Sequence, residues 1–105
     1  MAITQQTIQQ VWQKAQYVDS QNDANGFRKD QCGAWIQWSH YGNRNSVYGW
    51  EIDHITPVSQ GGSDLVSNLR PLNWENNAVR SDGRLVCVVT SNGLSNVTSR
   101  APSYR

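Results

Sequence analysis

The sequence predicts a small α+β domain. Three observations carry this: apolar residues at helical spacing near the N-terminus, short aromatic and aliphatic runs of strand character, and a central stretch read as strand, long loop, strand and short helix. A chain of 105 residues supports one modest core and no second domain. Only 37% of its residues are hydrophobic, so five Trp and four Tyr have to supply much of the buried area.

Thr7 to Val18 is predicted as a helix, with Ile8, Val11, Trp12, Ala15 and Val18 on one stripe and Thr7 with Gln10 in a capping-box pattern. Asp19 to Gly26 is turn-rich and closes it. Arg28 and Lys29 read as a solvated face, with a phosphate contact as the alternative. Cys32 to Trp38 is predicted as a strand and Ser39 to Ser46 as a loop. Val47 to Asp53 is the next strand, with Tyr48, Trp50 and Ile52 on one face and Gly49, Glu51 and Asp53 on the other.

Pro57 and Gly61-Gly62 mark a loop from Thr56 to Ser67, the glycines serving its backbone conformation. Asn68 to Leu72 is a short strand, followed by a helix through Arg80 with Asn73 or its neighbour as cap and Glu75 in the favourable first turn. Leu85 to Val89 is continuously apolar and predicts a final strand buried on both faces. From Ser91 onward the chain is polar and reads as a loose tail, where Arg100 and Arg105 are candidates for non-specific nucleic-acid contact.

Cys32 and Cys87 read first as buried small hydrophobes, with a disulfide or a metal role as alternatives. A net charge of +1 makes a weak general electrostatic case for a nucleic-acid partner, because cations grip a phosphate backbone only when clustered. No apolar run is long enough to span a bilayer, and no membrane partner is expected. The N-terminus lacks the charged start and apolar middle of a signal peptide, so a cytoplasmic location is expected, with export by another route left open.

The polar residues of the central stretch carry the chemistry. Asp53-His54 comes first, Asn68 follows fourteen residues after His54, and Asn77 nine residues after that. A carboxylate and an amide oxygen are hard ligands of the kind Mg²⁺ accepts while keeping several waters. Asp53 at a strand end and Asn77 on a facing helix would supply one of each, leaving His54 free to take a proton from water. A histidine base must be neutral, and an unperturbed imidazole titrates near about 6.5, so activity is expected to fade below about pH 6. Asn76 is the alternative to Asn77, although helix neighbours point about 100° apart and the spacing favours Asn77. His40, with no acidic neighbour in sequence, is a weak candidate, and Glu51 fits a pair with an Arg or a supporting role beside the metal.

The pattern DHxxPxxxGGxxxxxNLxxL…NNxxR resembles the HNH endonucleases of the His-Me finger or ββα-metal class. RKDQCGAWI and YGNRNSVYGWEIDH upstream resemble the small standalone bacterial or phage proteins of that family. The resemblance covers Trp50 to Asp82 closely, about a third of the chain. It implies a ββα-metal core, decorated by the N-terminal helix and additional short strands. It further implies one HNH domain over residues 1–90 with its motif at 47–82, and a polar tail over 91–105.

By resemblance, Asp53 and Asn77 bind the metal, His54 is the general base, and Asn68 braces the loop that orients the histidine. Arg80 stands where the family usually has Lys, and with Arg70 and Arg44 it is a candidate for phosphate contact. The implied reaction is metal-dependent hydrolysis of phosphodiester bonds in DNA, RNA being the alternative substrate. One divalent ion is implied, Mg²⁺ first and Mn²⁺ or another transition ion as alternatives. The family's second CxxC zinc pair falls at Asn73 and Asn76, two residues that cannot replace thiolates, so no structural zinc is expected and Trp74 is expected to pack in its place. The rival readings are a binding module that does not cleave and a toxin nuclease with an immunity or inhibitor protein.

Overall fold

The order of elements follows from where the backbone finds partners. The structure, a computed structural model, describes residues 3–80 and 84–99. It contains helix α1 (Gln5–Trp12), helix α2 (Ser20–Ala24), strands β1 (Phe27–Lys29), β2 (Trp35–Gln37), β3 (Trp50–His54) and β4 (Leu69–Asn73), helix α3 (Trp74–Val79), and strands β5 (Val89–Asn92) and β6 (Ser95–Thr98). The strands form three antiparallel hairpins, β1 with β2, β3 with β4 and β5 with β6. The α+β class expected from the sequence is what the chain adopts.

Helix α1 begins and ends earlier than its apolar stripe suggests. Thr4 is the cap, its side chain accepting from the Thr7 amide at 3.1 Å. The helix stops at Trp12 because Gln16 pairs with β1 instead, exchanging both backbone bonds with Lys29, and Val18 is left exposed. Its tight last turn still delivers Val11, Trp12 and Ala15 to a core completed by Ile36, Trp50 and Leu69. Trp50 stacks obliquely on Trp12 at 5.2 Å and meets Tyr41 edge-on at 4.9 Å. Lys14 fastens the end of α1 to the start of β4 through the carbonyls of Val66 and Leu69.

Several expectations change in the first half of the chain. The Asp/Asn-rich run folds into α2, because Asp19 caps it by accepting from the Asn22 amide at 2.8 Å. Arg28 is no solvated residue: its Nε donates to Asp23 Oδ1 at 2.7 Å and its guanidinium lies 5.9 Å from the Trp12 ring. Residues 47–49 form a turn, so β3 starts only at Trp50. Gly49 decides this, since a Cβ there would stand 1.8 Å from the Asn43 carbonyl oxygen, and its own carbonyl receives the Trp74 amide at the start of α3.

The second half departs further. Cys32 and Cys87 are joined in a disulfide across 55 residues, replacing the expectation of two buried thiols. Leu85 to Val89 is not a buried strand: Val86 and Cys87 are exposed, and only Val89 is buried. The amides of Val88 and Val89 are taken by the Asn76 side chain and so are not available to a strand ladder. Pairing begins only at Val89, opposite Thr98, where β5 opens, and the β5–β6 hairpin runs on through the segment read as a tail from Ser91. Asn96 docks that hairpin by accepting from the Trp35 amide at 2.7 Å and donating to the Trp35 carbonyl at 2.9 Å. Arg100 and Arg105 lie outside the described residues.

The β3–β4 register positions the site. Asp53 pairs with Arg70, Glu51 with Leu72 and His54 with Leu69. Cross-strand partners share a face, so Trp50 and Leu69 point to the α1 core, while Glu51, Asp53 and Arg70 point the other way, toward α3. Asn73 closes the unit by capping α3 through the Glu75 amide at 2.9 Å.

Candidate active site on the hairpin and its helix

His54 ends β3, and its ring is held from the loop that follows. Nε2 lies 2.8 Å from Asp64 Oδ1, a residue the sequence reading did not single out. An ionised carboxylate only accepts, so Nε2 is the donor, and in the neutral ring Nδ1 keeps the lone pair. The loop is closed by Asn68. Its Oδ1 accepts from the Thr56 amide at 2.8 Å, and its Nδ2 donates to the carbonyls of Thr56 (3.1 Å) and Ser63 (2.8 Å). Thr56 is two residues from His54 and Ser63 adjoins Asp64, so one amide side chain ties together the two segments that hold the ring.

Asp53 is 3% exposed and wholly occupied by cations. Arg70 Nε donates to its Oδ2 at 2.7 Å, and Arg80 Nε meets its Oδ1. Arg70 is itself buried, reaches Gln31 Oε1 at 3.4 Å, and leaves its second terminal nitrogen with no hydrogen-bond partner. One helical turn before Arg80, Asn77 donates to Glu51 Oε1 at 2.8 Å rather than meeting Asp53. Glu51 also takes a forked pair from Arg44, at 2.6 and 2.9 Å, and this guanidinium holds its carboxyl below the ordinary value. Arg44 lies 5.6 Å from the Trp74 ring while staying 55% exposed. His40 is bonded to Ser46 within its own loop.

The four residues expected to act together are therefore placed on one unit but in separate partnerships: His54 with Asp64, Asn68 with the loop backbone, Asp53 with two arginines, and Asn77 with Glu51 and Arg44. Among the described residues no group of three or more His, Cys, Asp or Glu side chains is gathered to hold a metal ion. The Asp53 carboxylate and the Asn77 amide oxygen suit a hard divalent ion by donor type. In the form observed, however, both Asp53 oxygens face guanidinium groups, and an ion would need one of them to leave.

Behind α3 lies a second polar cluster. Asp30, 2% exposed, accepts from the amides of Cys32, Ala34 and Asn73 and from Asn76 Nδ2, at 2.9 to 3.1 Å. Burial pushes its carboxyl above the ordinary value, against the pull of these four donors. Asn76 spends its remaining capacity on the backbone of Val88 and Val89. Asn73 and Asn76 are thus joined by a carboxylate. Trp74, expected to fill this place, packs with Arg44 and donates to the Ser46 carbonyl at 2.9 Å. The presence of two Asn where the family pattern has thiolates was the available signal, but nothing local pointed to Asp30, 43 residues before Asn73.

Fold and site together define a small α+β protein that gathers a histidine, three carboxylates, two amides and two arginines on one hairpin, its loop and the helix behind it, with Arg44 reaching in from the preceding loop. Residues 31–78 match the model of the HNH endonuclease family. The match spans β2 to α3 and stops just short of Arg80. No curated protein and no solved structure matches the chain significantly. That match suggests a nuclease, with nucleic acid as the substrate class. No helix among the described residues is long and apolar enough to cross a membrane.

Proposed function

We propose that the chain is an endonuclease that hydrolyses phosphodiester bonds in DNA on a ββα-metal core, with His54 as general base and one divalent ion, Mg²⁺ first, held by Asp53 and Asn77. The observation that carries this reading is the setting of His54. Its Nε2 is tied to Asp64 at 2.8 Å, which leaves Nδ1 as the proton acceptor on a ring held at a strand end. A protein that only binds nucleic acid has no use for that arrangement.

In the reaction, water attacks the scissile phosphorus and gives its proton to Nδ1 of His54. The bond to the 3′ oxygen breaks, leaving a 5′-phosphate and a 3′-hydroxyl once that oxygen is protonated. The ion, when bound, supplies charge neutralisation at the phosphate and the leaving oxygen. Asp64 stabilises the imidazolium as it forms. Asn68 keeps Asp64 and His54 in register, and Arg80, Arg70 and Arg44 are the groups for phosphate oxygens, whose geometry a guanidinium fork matches.

Nicking of supercoiled plasmid with Mg²⁺, Mn²⁺ or EDTA tests the reading. Wild type is expected to nick only with metal, and His54→Ala and Asn77→Ala are expected to abolish it. Absence of cleavage by wild type with every metal, on plasmid, single-stranded DNA and RNA, would leave the binding-module reading in its place.

A second reading concerns where the enzyme works. Disulfides persist in oxidising compartments and are rare in the cytosol. The Cys32–Cys87 bond therefore favours an exported nuclease, restrained in its producer by an immunity protein, over the cytoplasmic residence expected from the N-terminus. Such a toxin is expected to arrest growth when expressed in cells whose cytosol permits disulfides, and His54→Ala to relieve the arrest.

A further inference from the structure

We infer that Arg80 is a latch on the metal site: it occupies Asp53 in the free protein and is drawn off by a phosphodiester of the bound nucleic acid, so that metal and nucleic acid bind cooperatively. The inference rests on the proposed metal-dependent nuclease reading and adds to it the order in which the site is assembled.

The observation behind it is the double occupation of one buried carboxylate. Asp53 carries one negative charge and faces two guanidinium groups, Arg70 and Arg80, leaving that cluster one charge positive. A dication approaching it meets net repulsion and no open oxygen. The two arginines are not equivalent. Arg70 is the cross-strand partner of Asp53, is buried, and is steadied by Gln31 at 3.4 Å. Arg80 lies past the end of α3 in extended backbone, with its side chain 16% exposed against 10% for Arg70. Arg80 is the one that can leave by side-chain rotation alone.

Its departure changes two things at once. The Asp53–Arg70 pair that remains is neutral and has open the oxygen that Arg80 held, and Asn77 stands three residues before Arg80 on α3. The released guanidinium can fork onto phosphate oxygens, whose geometry it matches. Arg70 contributes a further donor, its terminal nitrogen that lacks a partner among protein groups. Because the coupling is thermodynamic it is reciprocal: whatever factor nucleic acid adds to metal affinity, metal adds to nucleic-acid affinity, typically about 5- to 150-fold for coupled sites.

The test is Mn²⁺ binding followed by electron paramagnetic resonance on the full chain. Wild type, Arg80→Gln, Arg80→Lys and Asp53→Asn are compared without nucleic acid, with thermal melting to show that each is folded. The His54→Ala protein is then measured with and without a short DNA duplex, the duplex with Asp53→Asn giving the background. Arg80→Gln is expected to bind Mn²⁺ at least about tenfold tighter than wild type, within the usual range of coupled sites. Arg80→Lys, which keeps the charge, is expected to stay near wild type. The duplex is expected to tighten Mn²⁺ binding by His54→Ala and to add little once Arg80→Gln is combined with it. Equal affinity of wild type and Arg80→Gln, with binding lost in Asp53→Asn, would overturn the latch and leave the metal site intact. No Mn²⁺ binding in any form, duplex included, would overturn the latch and the metal-dependent reading together.

Discussion

Asn68 offers the sharpest test of how the loop holds the base, because two substitutions at this position separate its roles. The side chain makes three hydrogen bonds, one accepted and two donated. Each net bond contributes about 0.5–1.5 kcal/mol, and the partial exposure of this site argues for the low end. Asn68→Ala is then expected to lose roughly 1–2 kcal/mol, a fall in melting temperature of about 5–15 °C for a domain of this size. Asn68→Asp is nearly isosteric and keeps the bond from the Thr56 amide. It also turns a carboxylate oxygen toward the carbonyls of Thr56 and Ser63, so both donations become repulsion. The conservative change is therefore expected to be at least as damaging as the truncation. Displacing His54 relative to Asp64 by about 1 Å is expected to lower the nicking rate roughly 100-fold. Near-ultraviolet circular dichroism of the tryptophans gives the melts, and initial plasmid nicking gives the rates. An Asn68→Asp protein that melts and cleaves like wild type would refute the clip and the role drawn from it.

Three further outcomes follow from the structure. Reducing the Cys32–Cys87 bond opens a 55-residue loop, and chain-entropy arguments put the loss at about 4 kcal/mol; a melt unchanged by dithiothreitol would count against the bond. Asn76→Ala removes one of the four donors to the buried Asp30 carboxylate, leaves the Val88 and Val89 amides without that acceptor and is expected to destabilise by about 3 kcal/mol, whereas Asn77→Ala is expected to stay folded and lose cleavage, so equal melts for the two would erase the distinction between them. Arg44 lowers the Glu51 carboxyl, so the stability Glu51 contributes is full above its ordinary value near 4.5 and is lost as pH falls through the lowered one; Asp30 acts in the opposite sense, and the readout is thus the difference between wild type and Glu51→Gln, expected to vanish at low pH.

The sequence was most legible where local signals and tertiary partners agree. The stripe through Ile8, Val11 and Trp12 is a helix because those residues also meet Trp50 and Leu69 in the core. The β3–β4–α3 unit was readable for the same reason, with alternation, Pro57, two glycines and an Asn cap all pointing to one arrangement. Reading failed where a distant partner overrode the local pattern. Ala15 to Val18 continues the helical stripe, but Gln16 finds Lys29. Leu85 to Val89 has strand composition, but its amides go to Asn76 and its cysteine to Cys32. At the site, residue types and spacing were legible, while the partners were not. Asp64 lies in a loop with no periodicity, and Arg70 could be placed on Asp53 only through the strand register.

Helix α3 shows why the site needs the polar cluster behind it. At six residues it is too short to be stable alone, since helices under about 12 residues are marginal in water. Successive residues point about 100° apart, so Asn76 turns inward while Asn77 and Arg80, three apart, share the face toward β3. Asn73 caps the helix, and Asn76 binds it to Asp30 and to the backbone beside Cys87. The disulfide then closes the circuit by tying that backbone to Cys32, whose own amide donates to Asp30. Each link in this chain fixes where Asn77 and Arg80 stand over the hairpin. Loosening the disulfide is therefore expected to weaken cleavage as well as stability. A reduced protein that melts earlier yet nicks at the full rate below its new melting point would show that the hairpin and the Asn73 cap hold α3 without help.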